Sequence, residues 1–327
     1  AIVAGYEVCC RLGNALAPTS HYARGFPPPA TAGTYGAAAA AAKLFGLTKE
    51  QIISAFGVSG SQAAGSLQFL VNGSWNKRYQ VGAAAMNGVI AATLARDGFI
   101  GSSESVEGKH GLLVGYTDDA HPDKAVADLG KVYETMKIGV KPYPSCRYTH
   151  AAIDALLAMR RAHNLTPDQI KRVEIGLHRN GITLTGDAPT KRHPTSIVGG
   201  QFSMFFTGAL ALDQGRFGWD DYARLGDAAI DALADKIDVV QDDRLEVGRT
   251  HPFGARVTVT TDDGVHEELY PDPSGEPASF PDSAAMRQKF LTLARPVLDG
   301  QAEKFADAIL SLETYDRAAS AIQLGRA

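Results

Sequence analysis

The sequence contains few cysteines and no long hydrophobic run. Its 327 residues include three cysteines: the adjacent Cys9 and Cys10, and Cys146. No CxxC pair is present, so we expect no disulfide framework, and a reducing compartment such as the cytoplasm fits this pattern best. No apolar run approaches the roughly 20 residues that a transmembrane helix requires, so we expect no membrane span.

The charge balance and the motif content exclude further classes. The formal net charge is −4, whereas a nucleic-acid-binding protein needs a basic face, so we expect no nucleic-acid partner. The sequence lacks HExxH, Cys/His clusters and carboxylate-rich loops, and we expect neither a metal nor another cofactor. Asp118, Asp119 and His121 form the one cluster that suggests a metal, and a solvated loop explains them better.

What the sequence does contain is enough apolar material for a large core. Apolar residues make up 45% of the chain, and the length suggests about two domains.

The first residues read as the middle of a helix, which suggests that upstream residues are missing. Residues 19–34 contain three consecutive prolines, and we predict a rigid, non-helical loop there. The predicted helices of this first part span residues 1–17, 35–46, 49–57, 81–97 and 123–136, with Thr48 and Gln51 as a capping box.

From residue 137 onward the pattern changes. Residues 149–163 and 200–215 are predicted to be helices, residues 171–179 a strand by their alternation, and residues 256–270 a hairpin around Asp262-Asp263-Gly264. Two helices, at about 283–298 and 302–320, end the chain. The predicted fold class is mainly α, with an all-helical domain (1–136 with 279–327) and a smaller α+β lid domain (137–278).

Two cations and an indole precede the helix predicted at residue 81. Lys77 can act as a point charge or as a base, and the fork of Arg78 can bind a carboxylate through two hydrogen bonds. A neighbouring helix N-terminus would add a positive partial charge. These residues favour a site for a small organic acid, although an ordinary solvated loop with Trp75 as a packing residue has the same appearance.

Several segments, in the same order, resemble the MmgE/PrpD family, whose members include 2-methylcitrate dehydratase, cis-aconitate decarboxylase and iminodisuccinate epimerase. They are GYEVCCRL, HYARGFPPPATAGTYGAAAAAAKLFGL, WNKRYQVGAAAMNGVIAATLARDGFIG with EGKHG, KPYPSCRYTHAAIDALL and GQFSMFFTGALALDQG. The resemblance implies a helical domain with an α+β lid, a homodimer, and family members that begin well upstream of this chain.

The resemblance also assigns residues. Lys77 matches the lysine of the family's K-x-x-H-x-G segment, Lys141 the lysine that opens K-x-Y/F-P, and His21 with Tyr22 the family's His-Tyr pair. Two positions differ: Pro27 and Gln80 stand where the family commonly has histidine. These replacements weaken the expectation of dehydratase or decarboxylase activity, but they leave the fold expectation unchanged.

The resemblance and the residues together lead to a hypothesis about chemistry. Removing a carbon proton beside a carboxylate needs a base and cations that hold the developing charge. Lys77, Tyr22 and His21 are the predicted catalytic residues. The predicted substrate-binding residues are Arg78, Lys141, Gln80 and Ser145. For His21, Lys141 and Cys146 the plainer interpretations are a backbone-bonded histidine, a surface charge and a packed thiol. A Ser145 or Cys146 nucleophile with His150 is conceivable, but no oxyanion loop is evident.

The leading hypothesis is a cofactor-independent lyase acting on a small di- or tricarboxylic acid by proton abstraction and loss of water, similar to the 2-methylcitrate dehydratase of propionate catabolism. An epimerase that uses Tyr22 and Lys77 as opposed acid/base groups is the alternative. A third hypothesis is a catalytically impaired, carboxylate-binding homologue, which Pro27 and Gln80 would explain.

Overall fold

A computed structural model describes residues 1–187, 189–246 and 253–326, except for the side chain of Asn72. The chain forms two compact units, Ala1–Ser274 and Gly275–Ala327. Within the first unit we distinguish a helical region, residues 1–137, and an α+β region, residues 138–274. The predicted partition into a helical domain (1–136 with 279–327) and a lid (137–278) stays a prediction, and residues 188, 247–252 and 327 of those ranges lie outside the described residues.

The helical region contains eight helices among its described residues. They are α1 (Ile2–Ala15), α2 (Pro18–Ala23), α3 (Pro28–Phe45), α4 (Lys49–Gly60), α5 (Phe69–Asn72), α6 (Asn76–Arg96), α7 (Leu112–Gly115) and α8 (Pro122–Val126). The predicted capping box is confirmed, since the Thr48 hydroxyl accepts from the Gln51 backbone N–H and the Gln51 side chain accepts from the Thr48 N–H.

Small residues let α3 approach α1 and α6 closely. A Cβ at Gly36 of α3 would lie 2.7 Å from the Cβ of Cys9 on α1. A Cβ at Gly88 of α6 would lie 2.5 Å from the Cβ of Ala37 on α3. Real Cβ atoms do not tolerate such distances, so both crossings require glycine. Close helix packing in this region therefore follows directly from its Ala- and Gly-rich composition.

Three predictions in the helical region differ from the structure. Residues 19–34 are not a non-helical loop, because α2 ends at Ala23 and α3 begins at Pro28. Proline is well suited to the first turn of a helix, where its missing N–H has no intrahelical partner, so it begins both helices. The helix predicted from residue 81 begins at Asn76. In the range 123–136, α8 ends at Val126 and a 3₁₀ turn follows at Glu134–Lys137.

The α+β region places helices on a four-stranded mixed sheet. Its helices are α9 (His150–Ala162), α10 (Arg179–Thr185), α11 (Ile197–Gln201), α12 (Met204–Gln214) and α13 (Ala228–Ala234). Its strands are β1 (Arg172–Leu177), β2 (Ile237–Gln241), β3 (Ala255–Thr260) and β4 (Val265–Tyr270), in the order β2-β1-β3-β4. β1 pairs with β2 in parallel, and with β3 antiparallel in a register that places Ile175 opposite Val257.

Large side chains fill the core between the sheet and its helices. Ile175 and Val257 are fully buried, as are Leu156 on α9 and Leu210 on α12. They belong to one hydrophobic cluster. The β3–β4 hairpin and the helix near 149–163 are confirmed, but β2 was not predicted and the predicted helix 200–215 consists of parts of two helices, α11 and α12.

The second unit is helical. It contains α14 (Ser283–Leu298), α15 (Gln301–Leu310) and α16 (Ala318–Ile322), so the helix predicted over 302–320 is interrupted after Leu310. The rings of Phe290 and Phe305 pack edge to face with centroids 5.8 Å apart. With this unit included, the structure confirms the predicted fold class, mainly α with a smaller α+β part.

Candidate active site

One cavity is lined by residues of both regions of the first unit. Its volume is about 250 Å³. Its lining includes most of the residues that the sequence singled out, and they lie far apart along the chain. The polar members of the lining, apart from Tyr148, are Tyr22, Lys77, Gln80, Lys141, Cys146 and Arg147.

Lys77 reaches this cavity from the first turn of α6. The helix begins at Asn76, so the lysine lies beside the unpaired backbone N–H groups and positive partial charge of the helix end. Its Nζ lies 5.0 Å from the centroid of the Phe202 ring, a distance suited to a cation–π contact. The ammonium is thus held against an aromatic wall instead of extending into solvent.

Lys141 and Arg147 bring positive charge from the α+β region. The Nζ of Lys141 donates to the backbone carbonyl of Ser145 at 2.9 Å. A guanidinium N–H of Arg147 lies 3.2 Å from Nδ1 of His150. Together with Lys77, three cations line the cavity, and no acidic side chain occurs among its described lining residues. Such a cavity attracts anions.

Two tyrosines in the wall retain their protons. Burial, with a smaller contribution from nearby Cys146, raises the pKa of Tyr22 to about 12. Burial and the neighbouring Tyr22 also raise the pKa of Tyr148. Both hydroxyls are therefore neutral at physiological pH, and a neutral phenol can donate a proton or a hydrogen bond to an anion.

The arrangement of Ser145, Cys146 and His150 does not form a nucleophile–base pair. The Ser145 hydroxyl hydrogen-bonds to the hydroxyl of Thr149 at 2.8 Å. His150 is buried, and its Nε2 lies 3.4 Å from the Ser145 carbonyl. Burial raises the pKa of the Cys146 thiol, with Lys141 and Lys77 acting in the opposite direction. The visible role of Ser145 is to anchor Lys141 through its carbonyl.

The two positions where the sequence departs from the family pattern, Pro27 and Gln80, both line the cavity. The Gln80 amide nitrogen donates to the Ser66 carbonyl at 2.8 Å, which fixes the orientation of its carboxamide. Histidine at either position would have faced the same space. Proton-transferring groups are thus absent at two points of the cavity wall itself.

Three predicted residues lie outside the cavity lining: Ser145, described above, and the pair His21 and Arg78. His21 is fully buried, with Nδ1 2.8 Å from the Tyr116 carbonyl and Nε2 3.0 Å from the Thr31 hydroxyl. Arg78 is exposed, and its guanidinium stacks over Trp75 at 5.1 Å. The plainer interpretations of both residues, a bonded core histidine and a surface cation, describe their surroundings.

Sequence reasoning missed the residues that close the cavity. Arg147 and Tyr148 were not chosen, although they belong to the matched segment KPYPSCRYTH. Phe69, Phe202 and Phe253 also line the cavity. Nothing in the spacing of three phenylalanines so far apart along the chain indicates that they meet.

The described residues contain neither a metal-binding cluster nor a helix that could span a membrane. No group of three or more His, Cys, Asp or Glu residues within them is arranged to hold a metal ion. The helices in the same part of the chain are too short or too polar to cross a bilayer. The cluster of Asp118, Asp119 and His121 is exposed, with Asp118 paired to Arg24 at 3.0 Å.

Comparison with known proteins identifies the family. The MmgE/PrpD N-terminal domain matches residues 1–125, and the MmgE/PrpD C-terminal domain matches residues 143–314. The chain belongs to the MmgE/PrpD family. The resemblance that the quoted segments suggested is thereby confirmed.

Three similar proteins carry names that state an activity. A cis-aconitate decarboxylase-like protein of Aspergillus oryzae is 31% identical over 96% of this chain and 68% of its own length. Cis-aconitate decarboxylase of Aspergillus terreus is 26% identical over 96% of this chain and 67% of its own length. The human cis-aconitate decarboxylase is 28% identical over 52% of this chain.

Proposed function

We propose that this MmgE/PrpD protein is a lyase that needs no cofactor and acts on a small di- or tricarboxylic acid at a carbon beside a carboxylate. The observation that carries the proposal is the shared cavity, which is lined by Lys77 from α6 and Lys141 from the α+β region and has no acidic lining residue among those described. The names of the relatives add a preference for a tricarboxylate such as cis-aconitate.

The proposed chemistry assigns roles to four residues of the cavity wall. Lys141, with Arg147, holds the substrate carboxylates and stabilises the charge that develops on them. Lys77 hydrogen-bonds the carboxylate beside the reacting carbon and, in a dehydration, takes the proton from that carbon. Tyr22, neutral because burial raises its pKa to about 12, donates the proton with which the hydroxyl leaves as water.

Decarboxylation would use the same groups differently. The carboxylate leaves as CO₂, its bonding electrons stay on carbon, and a proton from Tyr22 completes the product. Gln80 contributes a carboxamide whose position is fixed by Ser66. His21 and Arg78 have no part in this scheme, since their side chains do not line the cavity.

The epimerase hypothesis has one supporting observation. Tyr22 and Lys77 line the same cavity from different helices, as two acid/base groups acting on one carbon would. In that case deuterium from D₂O would enter recovered substrate without formation of an alkene. The catalytically impaired homologue is the third outcome, with Pro27 and Gln80 as its basis.

The test is an NMR assay in D₂O with cis-aconitate, citrate and 2-methylcitrate. We expect turnover of at least one acid, and we expect Lys77→Ala to lower kcat by about 100-fold or more. Lys43→Ala removes an exposed lysine of α3 and serves as the matched control. Full activity in Lys77→Ala would remove Lys77 from the mechanism, and tight binding with no turnover would support the impaired homologue instead.

A further inference from the structure

The cavity wall contains more apolar side chains than the binding of a small tricarboxylate requires. Apart from its three cations, the wall is built mainly from side chains that carry no polar atom. Those that matter here are Pro27, Phe69, Val81, Leu184, Phe202 and Phe253. A carboxylate placed against such side chains loses its hydration without gaining a partner, which is strongly unfavourable. Only the part of a ligand near the cations can therefore be ionic.

The hydrocarbon wall is packed and preformed. Phe69, Leu184 and Phe202 are less than 8% exposed and form one hydrophobic cluster with Tyr148 and Cys146. The rings of Phe69 and Phe202 lie 5.8 Å apart. A packed wall keeps its shape when the cavity is empty, so a complementary apolar group gains contact area at little cost in ordering.

A second cavity shares part of its wall with the first. It measures about 260 Å³, and Phe69 and Phe202 line both spaces. Its buried cation, Lys191, is occupied by the Thr183 carbonyl at 2.7 Å and the Asp187 carboxylate at 2.8 Å. The two phenylalanines therefore belong to the walls of both the cationic cavity and a neighbouring cavity whose lysine already has partners.

We propose that the natural substrate carries an alkyl branch longer than a methyl group, in addition to its carboxylates. This inference rests on the proposed function and names its substrate class. The carboxylates lie at Lys77 and Lys141, and the branch lies along Leu184, Phe253 and the Phe69 ring. Phe69 sets the greatest branch length, because it belongs to the wall that the two cavities share.

The test measures binding, which needs no turnover. Calorimetric titration with succinate, methylsuccinate, butylsuccinate and octylsuccinate holds the carboxylates constant and varies the branch. We expect affinity to rise roughly fourfold for each methylene that the cavity buries, with an increasingly negative heat-capacity change. Equal or falling affinity from succinate to butylsuccinate would overturn the proposal.

The titration and the NMR assay together separate this inference from the proposed function. Chain-length-dependent binding without turnover of any tested acid contradicts the lyase and supports the branched ligand. Turnover of cis-aconitate together with no dependence on branch length supports the lyase and contradicts the branched ligand.

Variants of Phe69 test the role of this shared wall. We expect Phe69→Ala to open the first cavity toward the second, and so to raise the affinity for octylsuccinate relative to butylsuccinate by about tenfold. Phe69→Leu, a smaller change in volume, should shift the ratio in the same direction and carries the test if the alanine variant does not fold. Phe99→Ala, at a phenylalanine that is 53% exposed, is the control. An unchanged ratio in a folded Phe69 variant rules out Phe69 as the residue that limits branch length.

Discussion

The helical region and the α+β region bury their cores with different kinds of side chain. The helical region relies on alanine and glycine, with Ala38 and Ala91 fully buried and Gly36 and Gly88 at the helix crossings. The α+β region relies on large residues such as Leu210, on α12. One region gains stability from close backbone approach and the other from the apolar area of its side chains. We therefore expect truncation of large side chains to destabilise the α+β region, and enlargement of small residues to destabilise the helical region.

The same contrast explains the site. Helices that pack through small residues form a firm platform, from which the first turn of α6 presents Lys77. The α+β region supplies the residues that meet it, including Lys141 and the phenylalanine at position 202. The cavity has cations from both regions, because the helical region contributes Lys77 and the α+β region contributes Lys141.

Truncation in the α+β region should have the largest effect. Leu210→Ala removes a fully buried side chain of α12 and should lower the free energy of unfolding by about 3–4 kcal/mol. Leu269→Ala, on β4 and 42% exposed, should change it by less than about 1 kcal/mol. Urea denaturation of both variants makes the comparison, and equal losses would contradict a core that depends on large side chains.

Enlargement in the helical region should come next. Gly88→Ala places a methyl group 2.5 Å from the Ala37 Cβ and should cost about 2 kcal/mol of unfolding free energy. Gly82, on the same helix, has no atom within 4 Å of its added Cβ, so Gly82→Ala should stabilise by about 0.5–1 kcal/mol. Opposite signs in thermal melts are the expected result. A stabilising Gly88→Ala would show that α3 and α6 are not in close contact.

A smaller effect should appear at acid pH in the α+β region. Hydrogen bonds from Arg244, and also from Arg256 at 2.7 Å, hold the pKa of the Asp242 carboxyl far below its usual range. Since the folded-state pKa lies below the unfolded value near 3.9, this stabilisation is complete above about pH 4 and is lost as pH falls further.

The test compares acid unfolding of the wild type and Asp242→Asn. We expect the wild type to lose about 1–2 kcal/mol more than the variant between pH 5 and pH 2. Parallel loss in the two proteins would mean that the unfolded-state and folded-state pKa values of Asp242 are alike.

Much of this fold could be predicted from local pattern. Alternation identified β1 and the β3–β4 hairpin, and Thr48 with Gln51 marked the start of α4. β2 was not predicted, because it is only five residues long and pairs in parallel with β1, so no adjacent turn indicates it. The prolines led to a wrong prediction of a loop, because proline disrupts the interior of a helix but fits its first turn. Pro28 accordingly begins α3.

The residues of the site were likewise predicted only in part. Lys77, Lys141, Tyr22, Gln80 and Pro27 were located through the resemblance, and all of them line the cavity. The aromatic wall was not located, because its rings converge only when distant segments fold together. A sequence pattern reports charge and periodicity, whereas the volume between two regions exists only in the folded chain.

The central claim is that Lys77 and Lys141 bind carboxylates of one ligand in one cavity. Its most direct test is calorimetric titration with tricarballylate, a tricarboxylate that has no hydroxyl group to lose. We expect Lys77→Met and Lys141→Met each to weaken binding by about 10- to 100-fold, as loss of a charged hydrogen-bond donor predicts, whereas Lys43→Met should bind as the wild type does. Wild-type affinity in either cavity variant would contradict the claim.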